Sequence, residues 1–293
     1  MRLSRAGDRV RVLAPAKVNL FLEVLGKRAD GYHELSTLMV AVGLFDTLEL
    51  RETAGETALE CDEPSLSTGP DNLVMKAAAL VRERFGVRQG VAMTLRKRIP
   101  MQAGLAGGSS DGAATLAGLN LLWRLGLDAP ALASLGAELG SDVSFFFHGP
   151  AAWCSGRGEI VRPLRLGATL DLVLACPRAG LSTASVFKAL RLPAEPVDGA
   201  GMEEAARSGD KEQIGRLMRN RLEAAAEEAC PEVGRLRRRL EGTRPLGARM
   251  SGSGSVVFAL ARDGSDAARV ARAMSEGREA GGLARVSVCK SCD

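Results

Sequence analysis

Several things are scarce in this 293-residue chain. Aromatic residues make up 4% of it, with one tyrosine, two tryptophans and eight phenylalanines. The short basic clusters, Arg96-Lys97-Arg98 and Arg235 with Arg237, Arg238 and Arg239, therefore lack the interleaved rings of a nucleic-acid stripe and read as solvated faces. Charge of one sign is not in excess: 39 basic against 35 acidic residues leave +4. No apolar run approaches the ~18 residues of a membrane span. The N-terminal stretch MRLSRAGDRVRVLAPAKVNL has no continuous apolar segment followed by a small-residue cleavage site, so no secretory signal is expected and a cytoplasmic location is the default. Histidine occurs only as His33 and His148. Cys289 and Cys292 form a CxxC, but a structural zinc usually needs a second pair or suitably spaced histidines, so they are read as two reduced thiols near the chain end.

What is present is a core-forming composition, 46% hydrophobic, in a length that favours two domains. RVRVLA and VNLFLEVL read as strands separated by a turn at residues 14–16, followed by a loop and further strands to about residue 52. Asp71 is a candidate cap for a helix through Phe85, with Gly86 as its stop. GVAMTLRKR alternates like a strand, and a helix is expected from Ser109 or Ser110 to about Leu125. Beyond Pro150, strands at AAWCSG, LDLVLACP, SVVFALA and RVSVC alternate with helices near residues 183–190, 203–228, 231–241 and 266–276. Residues 192–201 read as an exposed connection. Early hairpin-like strands with interspersed helices predict an α+β fold, with domains at 1–160 and 161–293.

Residues 100–112 read PMQAGLAGGSSDG. Gly104, Gly107 and Gly108 allow positive φ and a run of exposed N–H groups, and the loop leaves a strand to enter a helix N-terminus, where anions bind well. Ser109 and Ser110 add hydroxyls suited to a phosphate or a magnesium ion. The spacing is neither a Walker A loop nor a dinucleotide fingerprint. Two further segments carry charge on apolar ground. Asp142, in AELGSDVSFFF, is either a helix cap or a general base. Lys17, one of only seven lysines against 32 arginines, stands among apolar strand residues as a candidate partner for a carboxylate or a phosphate.

At these residues the chain resembles the GHMP kinases, the superfamily of galactokinase, homoserine kinase, mevalonate kinase and phosphomevalonate kinase. The resemblance is carried in order by APAKVNLFLEV (14–24), PMQAGLAGGSSDGAA (100–114) and GARMSGSGSVVF (247–258). Within it, KRADGYHELSTLMVAV (27–42) and LGSDVSFFFHG (139–149) resemble the branch that phosphorylates a cytidine-diphosphate-tagged methylerythritol on the non-mevalonate route to isoprenoids. The resemblance implies a two-domain GHMP kinase fold. Its N-terminal domain would be like the second domain of ribosomal protein S5, its C-terminal domain ferredoxin-like, with the active site in the cleft between them.

It also implies roles. Asp142 matches the base that takes the proton of the 2-hydroxyl, and Lys17 its charged partner. Asn19 matches a substrate-orienting amide. Tyr32 and Phe187 match the pair that sandwiches cytosine, His33 the reader of its edge, and Thr183 a polar contact beside Phe187. Pro100, Met101, Gln102, Ala103, Gly104, Leu105, Ala106, Gly107, Gly108, Ser109 and Ser110 match the ATP loop, and Asn72 and Lys97 the adenine side. Residues 251–254 match a second Gly/Ser turn facing the cleft. Gln102, Ala106 and Ser144 depart from the residues more usual at their positions. ATP with Mg2+ is the implied phosphoryl donor, and a small molecule carrying a cytidine diphosphate group the acceptor. No nucleic acid or membrane partner is expected, and the protein would be a monomer or homodimer.

Overall fold

The computed structural model describes residues 1–192, 194–276 and 283–292. Along the chain the elements are β1 (Arg2–Ala6), β2 (Arg9–Lys27), β3 (His33–Thr53), β4 (Ala58–Cys61), α1 (Leu73–Phe85), β5 (Gly90–Arg96), α2 (Gly107–Leu122) and α3 (Ala129–Leu139). A 3-10 turn (Ser144–Phe147) leads to β6 (Ala151–Gly156), β7 (Ile160–Pro163), β8 (Asp171–Pro177), α4 (Thr183–Ala189), α5 (Ala200–Ser208), α6 (Lys211–Leu217) and β9 (Arg219–Asn220). The chain closes with α7 (Glu223–Ala229), α8 (Pro231–Gly242), β10 (Gly247–Met250), β11 (Val257–Ala261), α9 (Gly264–Ser275) and β12 (Leu283–Lys290). The expected α+β class is what these elements form.

Compactness divides the chain into two units, neither of them continuous in sequence. One comprises Met1–Ala16, Leu44–Ile99 and Ala106–Gly149; the other comprises Lys17–Gly43, Pro100–Leu105 and Pro150–Asp293. A single cut at residue 160 does not reproduce them, because β2 and β3 are long enough to contribute residues to both.

In the first unit β1 pairs antiparallel with β2, from Arg2 opposite Leu13 to Ala6 opposite Arg9. The last part of β3 pairs antiparallel with β5, and β4 lies parallel to β5. Helix α2 is buried on nearly every side, as its run of Ala, Gly and Leu permits. The N-cap of α1 is Asn72, whose Oδ1 accepts from the Val74 N–H; the expected cap, Asp71, instead accepts from the Ser67 hydroxyl. Helix α2 begins at Gly107, two residues before the expected serines, and stops at Leu122.

In the second unit β10, β11, β8 and β12 form an antiparallel sheet in that order. Helices α8 and α9 pack on it, and the core joins Val173, Ala175, Val257 and Ala259 of the strands to Leu236, Leu240, Val270 and Met274 of the helices. The first part of β3 pairs with β6, and β9 lies parallel to β2 at Phe21 and Leu22.

Two expected boundaries are corrected. No turn interrupts β2 at residues 14–16, and β3 likewise runs unbroken from His33 to Thr53. Pro15 is tolerated in β2 because the register with β1 ends at Leu13, so its missing N–H removes no bond from that ladder. The helix expected over 203–228 is three helices, α5, α6 and α7. Gly209 (φ 78) closes α5 in the left-handed region, and β9 separates α6 from α7. Of the connection at 192–201, Pro193 lies outside the described residues and α5 already begins at Ala200.

Candidate active site

The segment Pro100–Leu105 belongs to the second unit and is bound there to three neighbouring stretches of chain. Past the reach of β1, the Lys17 N–H of β2 donates to the Leu105 carbonyl, 3.1 Å. The Val256 N–H donates to the Ala103 carbonyl at 3.2 Å and the Leu181 N–H to the Gln102 carbonyl at 3.4 Å. Gly104 lies so close to the turn at residues 251–254 that a Cβ there would come within 1.9 Å of the Ser251 carbonyl oxygen; its φ of 73° also excludes most side chains. The Gly104 carbonyl accepts from the Ser251 hydroxyl at 2.9 Å and from Lys17 Nζ at 3.1 Å.

Lys17 is 3% exposed and Asn19 1%. Lys17 Nζ donates to Asn19 Oδ1 at 2.7 Å, Asn19 Nδ2 to Thr37 Oγ1 at 2.8 Å, and the Thr37 hydroxyl to the Phe21 carbonyl at 2.6 Å. A buried ammonium is thus fixed beside the loop, and the amide that holds it is bonded at both ends, as buried polar groups require. The Gly/Ser turn at 251–254 is fixed in its turn by Asn220. Asn220 Nδ2 donates to the carbonyls of Met250 (2.7 Å) and Gly252 (2.8 Å), and its Oδ1 accepts from the Leu222 N–H.

The residues expected to read the base, Tyr32, His33, Thr183 and Phe187, lie in the same unit. The rings of His33 and Phe187 lie 5.0 Å apart at 30°. Tyr32 has a different neighbour: the Arg157 guanidinium sits 4.8 Å above its ring centroid. Thr183, at the start of the helix that carries Phe187, shares a 2.8 Å hydrogen bond with the Ser253 hydroxyl, which links α4 to the second Gly/Ser turn. Burial, helped by the charge of Lys27, lowers the His33 pKa below its ordinary value, so the ring is neutral at pH 7 and offers one donor and one acceptor.

The first unit holds the rest of the loop, from Ala106 onward. Ala106 is the N-cap of α2 with φ 53°, and Gln102 takes φ 49°. Both departures from the family pattern are therefore non-glycine residues in the left-handed region, where a Cβ costs about 1 kcal/mol or more. No side chain caps α2, and Ser110 N–H makes the first i to i−4 bond, to Ala106. The N–H groups of Gly107, Gly108 and Ser109 precede that bond and are the open donors of a helix start. The Ser110 hydroxyl is fully buried without a hydrogen-bond partner. An orphaned buried hydroxyl at an uncapped, glycine-opened helix start fits a bound phosphate group.

Beneath that helix start lies a cluster the sequence did not reveal. Lys97 Nζ bonds Asp46 Oδ2 at 2.5 Å and Asp111 Oδ2 at 2.6 Å, with all three side chains at most 7% exposed. Asp46 Oδ1 also accepts from the N–H groups of Arg98 and Ile99, which fixes the chain just before the loop. Burial raises the Asp111 pKa above the ordinary carboxylate range, against the opposing pull of Lys97. Burial works downward on Lys97, but the two carboxylates outweigh it and hold its pKa up, so the ammonium is charged. Lys97 was expected on the adenine side; its ammonium is committed to these carboxylates. Asn72, expected there too, spends Oδ1 on the α1 cap and Nδ2 on the Ser67 carbonyl. Asp142 sits in the turn between α3 and the 3-10 turn, whose own N-cap is Val143 with no side-chain cap bond. Ser144, in place of the more usual proline, donates its hydroxyl to the Ala133 carbonyl at 2.8 Å and so ties that turn to α3.

Sequence reasoning missed Thr37, Asp46, Asn220 and Arg157. Thr37 lies within the segment 27–42 without a signal of its own, Asp46, Asn220 and Arg157 stand outside every quoted segment, and only Asp111, directly after the two serines, carried a local signal. Among the described residues no group of three or more His, Cys, Asp or Glu could hold a metal ion, no helix is long and apolar enough to cross a membrane, and no disulfide joins the cysteines.

Residues 72–150 match the family described as GHMP kinases N terminal domain, and residues 202–279 the one described as GHMP kinases C terminal. A 4-diphosphocytidyl-2-C-methyl-D-erythritol kinase of Shouchella clausii (strain KSM-K16) is 42% identical over 261 residues, covering 88% of each chain. The protein of the same name from Bacillus cytotoxicus is 44% identical over 262 residues, 88% of this chain and 90% of its own. A crystal structure of 4-(cytidine 5'-diphospho)-2C-methyl-D-erythritol kinase matches with a TM-score of 0.80 at 36% identity, covering 97% of this chain and 100% of that one. A homoserine kinase from Cytophaga hutchinsonii ATCC 33406 reaches a TM-score of 0.78 at 20% identity, covering 100% of this chain and 97% of its own, which is a likeness of fold alone.

Proposed function

This chain belongs to the GHMP kinase family, and from that premise we propose that it transfers the γ-phosphoryl group of ATP to the 2-hydroxyl of 4-diphosphocytidyl-2-C-methyl-D-erythritol in non-mevalonate isoprenoid precursor biosynthesis. The buried Lys17, with Nζ bonded to Asn19 and to the Gly104 carbonyl of the glycine loop, is the observation that carries the kinase reading. Phosphoryl transfer asks a protein mainly to position two substrates and to neutralise charge, and a fixed ammonium beside a phosphate-type loop supplies both.

In this mechanism the loop residues 100–110 and the open N–H groups at the start of α2 hold the ATP phosphates. Ser110 presents its unsatisfied hydroxyl to them. Magnesium carried with the nucleotide would neutralise charge on the phosphate oxygens, and the hydroxyls of Ser109 and Ser110 are the groups that would lie beside it. Asp142 accepts the proton of the 2-hydroxyl as that oxygen bonds the γ-phosphorus and the β,γ-bridging bond breaks to release ADP, and Lys17 stabilises the negative charge that develops on the acceptor oxygen. Asn19, held by Thr37, orients the alcohol. Tyr32 and Phe187 flank the cytosine, His33 reads its edge as a neutral ring, and Thr183 adds a polar contact. Asn72 and Lys97 are assigned to the adenine side, with the Lys97 ammonium held in place by Asp46 and Asp111. The protein acts in the cytoplasm, as a monomer or homodimer, without nucleic acid.

Purified protein supplied with ATP and, separately, with the cytidyl alcohol, homoserine and mevalonate tests the reading. Phosphate is expected on the 2-hydroxyl of the cytidyl compound alone. Transfer to homoserine or mevalonate with none to the cytidyl compound would overturn it.

A further inference from the structure

We propose that Arg157, in the turn between β6 and β7, is a positioning residue for the nucleobase: its guanidinium backs one face of the Tyr32 ring and so holds the other face ready for cytosine. The inference rests on the assignment of Tyr32 to the cytosine.

The Tyr32 backbone is already fixed. Its N–H donates to Asp30 Oδ1 at 3.1 Å and its carbonyl accepts from the Arg28 N–H at 2.8 Å. Its side chain is 54% exposed and stands on a turn at the surface. A ring so placed samples several rotamers in solution, and a ligand that stacks on it must immobilise it. The Arg157 Cζ, 4.8 Å from the ring centroid, lies within the distance at which a guanidinium is attracted to an aromatic face. A guanidinium is also flat, so it can lie along a ring as an ammonium cannot.

Arg157 is itself held. Its N–H donates to Glu159 Oε2 at 2.5 Å, and its Nε lies 3.7 Å from Glu159 Oε1. The turn that carries it is joined to the start of β3. The Gly156 N–H donates to Glu34 Oε1 at 2.9 Å, and the other oxygen of Glu34 pairs with Arg28 at 2.5 Å. Arg28 and Glu34 flank Tyr32 in sequence, so one carboxylate ties the turn under Arg157 to the turn under Tyr32. The guanidinium is therefore placed on the ring by two fixed turns rather than by its own reach. His33 and Phe187 already lie against one another and leave Tyr32 to this separate support.

The test combines kinetics with one spectroscopic signal. Tyr32 is the chain's only tyrosine, so ring-labelled tyrosine gives a single NMR signal. In Arg157→Ala that signal is expected to move in the free protein, because the cation above the ring is gone. The KM for the cytidyl alcohol is expected to rise about 3- to 10-fold, the cost of ordering one freed side chain on binding, with kcat and the KM for ATP within twofold of the parent. Arg157→Lys, which keeps a cation within reach of the ring, is expected to recover part of the loss. An unmoved tyrosine signal, or an unchanged cytidyl KM in Arg157→Ala while Tyr32→Ala raises it, would overturn the role of Arg157 and leave the cytosine platform standing. An unchanged cytidyl KM in Tyr32→Ala would remove the platform itself and the inference with it.

Discussion

Lys17 and Asn19 on β2, and Tyr32 and His33 where the chain enters β3, belong to one compact unit, yet the two pairs are built in opposite ways. The first pair is almost wholly enclosed, and each polar end of the Asn19 amide has a bonded partner. The second pair begins a strand at the surface and is held by ring contacts with Phe187 and Arg157. Residues assigned to the chemistry are thus positioned by folding itself, because a buried ammonium or amide without partners would cost several kcal/mol. Residues assigned to recognition are positioned by contacts that can change without disturbing the core. Substitution in the first group should strike turnover and, in part, stability, whereas substitution in the second should strike KM for one substrate only.

The largest effects are expected on the chemistry side. Asp142→Asn should lower kcat by about 10²- to 10⁴-fold through loss of the general base, with ATP affinity retained; near-normal turnover would take Asp142 out of the mechanism. Lys17→Met should lower kcat by about 10²- to 10³-fold, the scale seen when a preorganised charge-stabilising group is removed. It should also lower the melting temperature, because Asn19 Oδ1 loses its donor. A Lys17→Met enzyme altered only in its KM for the cytidyl alcohol would erase the contrast.

On the recognition side, Tyr32→Ala should raise KM for the cytidyl alcohol about 5- to 100-fold, since stacking of a base on an aromatic ring contributes about 1–3 kcal/mol. Equal rises for both substrates would argue against a platform for one base. The pH dependence sharpens the same point. The His33 pKa is lowered, so the ring does not titrate between pH 7 and 8.5 and the cytidyl KM should be flat there. A rise is expected only at acid pH, where the ring gains its proton, and a break in the cytidyl KM near pH 7 to 8 would contradict a neutral His33.

The smallest expected effect concerns the loop. Ala106→Gly relieves a left-handed alanine and should stabilise the protein by about 1 kcal/mol, read as a rise of a few degrees in melting temperature. A fall in melting temperature would show that the φ of 53° is not strained.

The loop was legible because its chemistry is written in adjacent residues: a strand, glycines, two serines and a helix. Its departures at Gln102 and Ala106 were legible too, and both take the left-handed backbone that glycine would accept more easily. The partners that hold the site were not. Asp46 lies 51 residues from Lys97, Ser251 lies 147 from Gly104, and Asn220 lies 30 and 32 from the carbonyls it binds. Such pairs are made by strand register and turn approach, and no local spacing encodes them. The continuous β2 was hidden for a related reason. Pro15 reads as a break in sequence, but its missing N–H falls where the β1 ladder has already ended. Lys97 shows the same limit: the resemblance matched it to the adenine side, but that match carried no sign of the Asp46 and Asp111 carboxyls that hold its ammonium.

The most direct test compares kcat/KM for 4-diphosphocytidyl-2-C-methyl-D-erythritol with that for the same methylerythritol phosphate lacking the cytidine group, each with saturating ATP. A preference of at least about 10²-fold for the tagged alcohol, consistent with ring stacking and edge hydrogen bonds acting together, is the predicted result, and Tyr32→Ala should erode most of it. Equal turnover of the tagged and untagged alcohols would contradict the account.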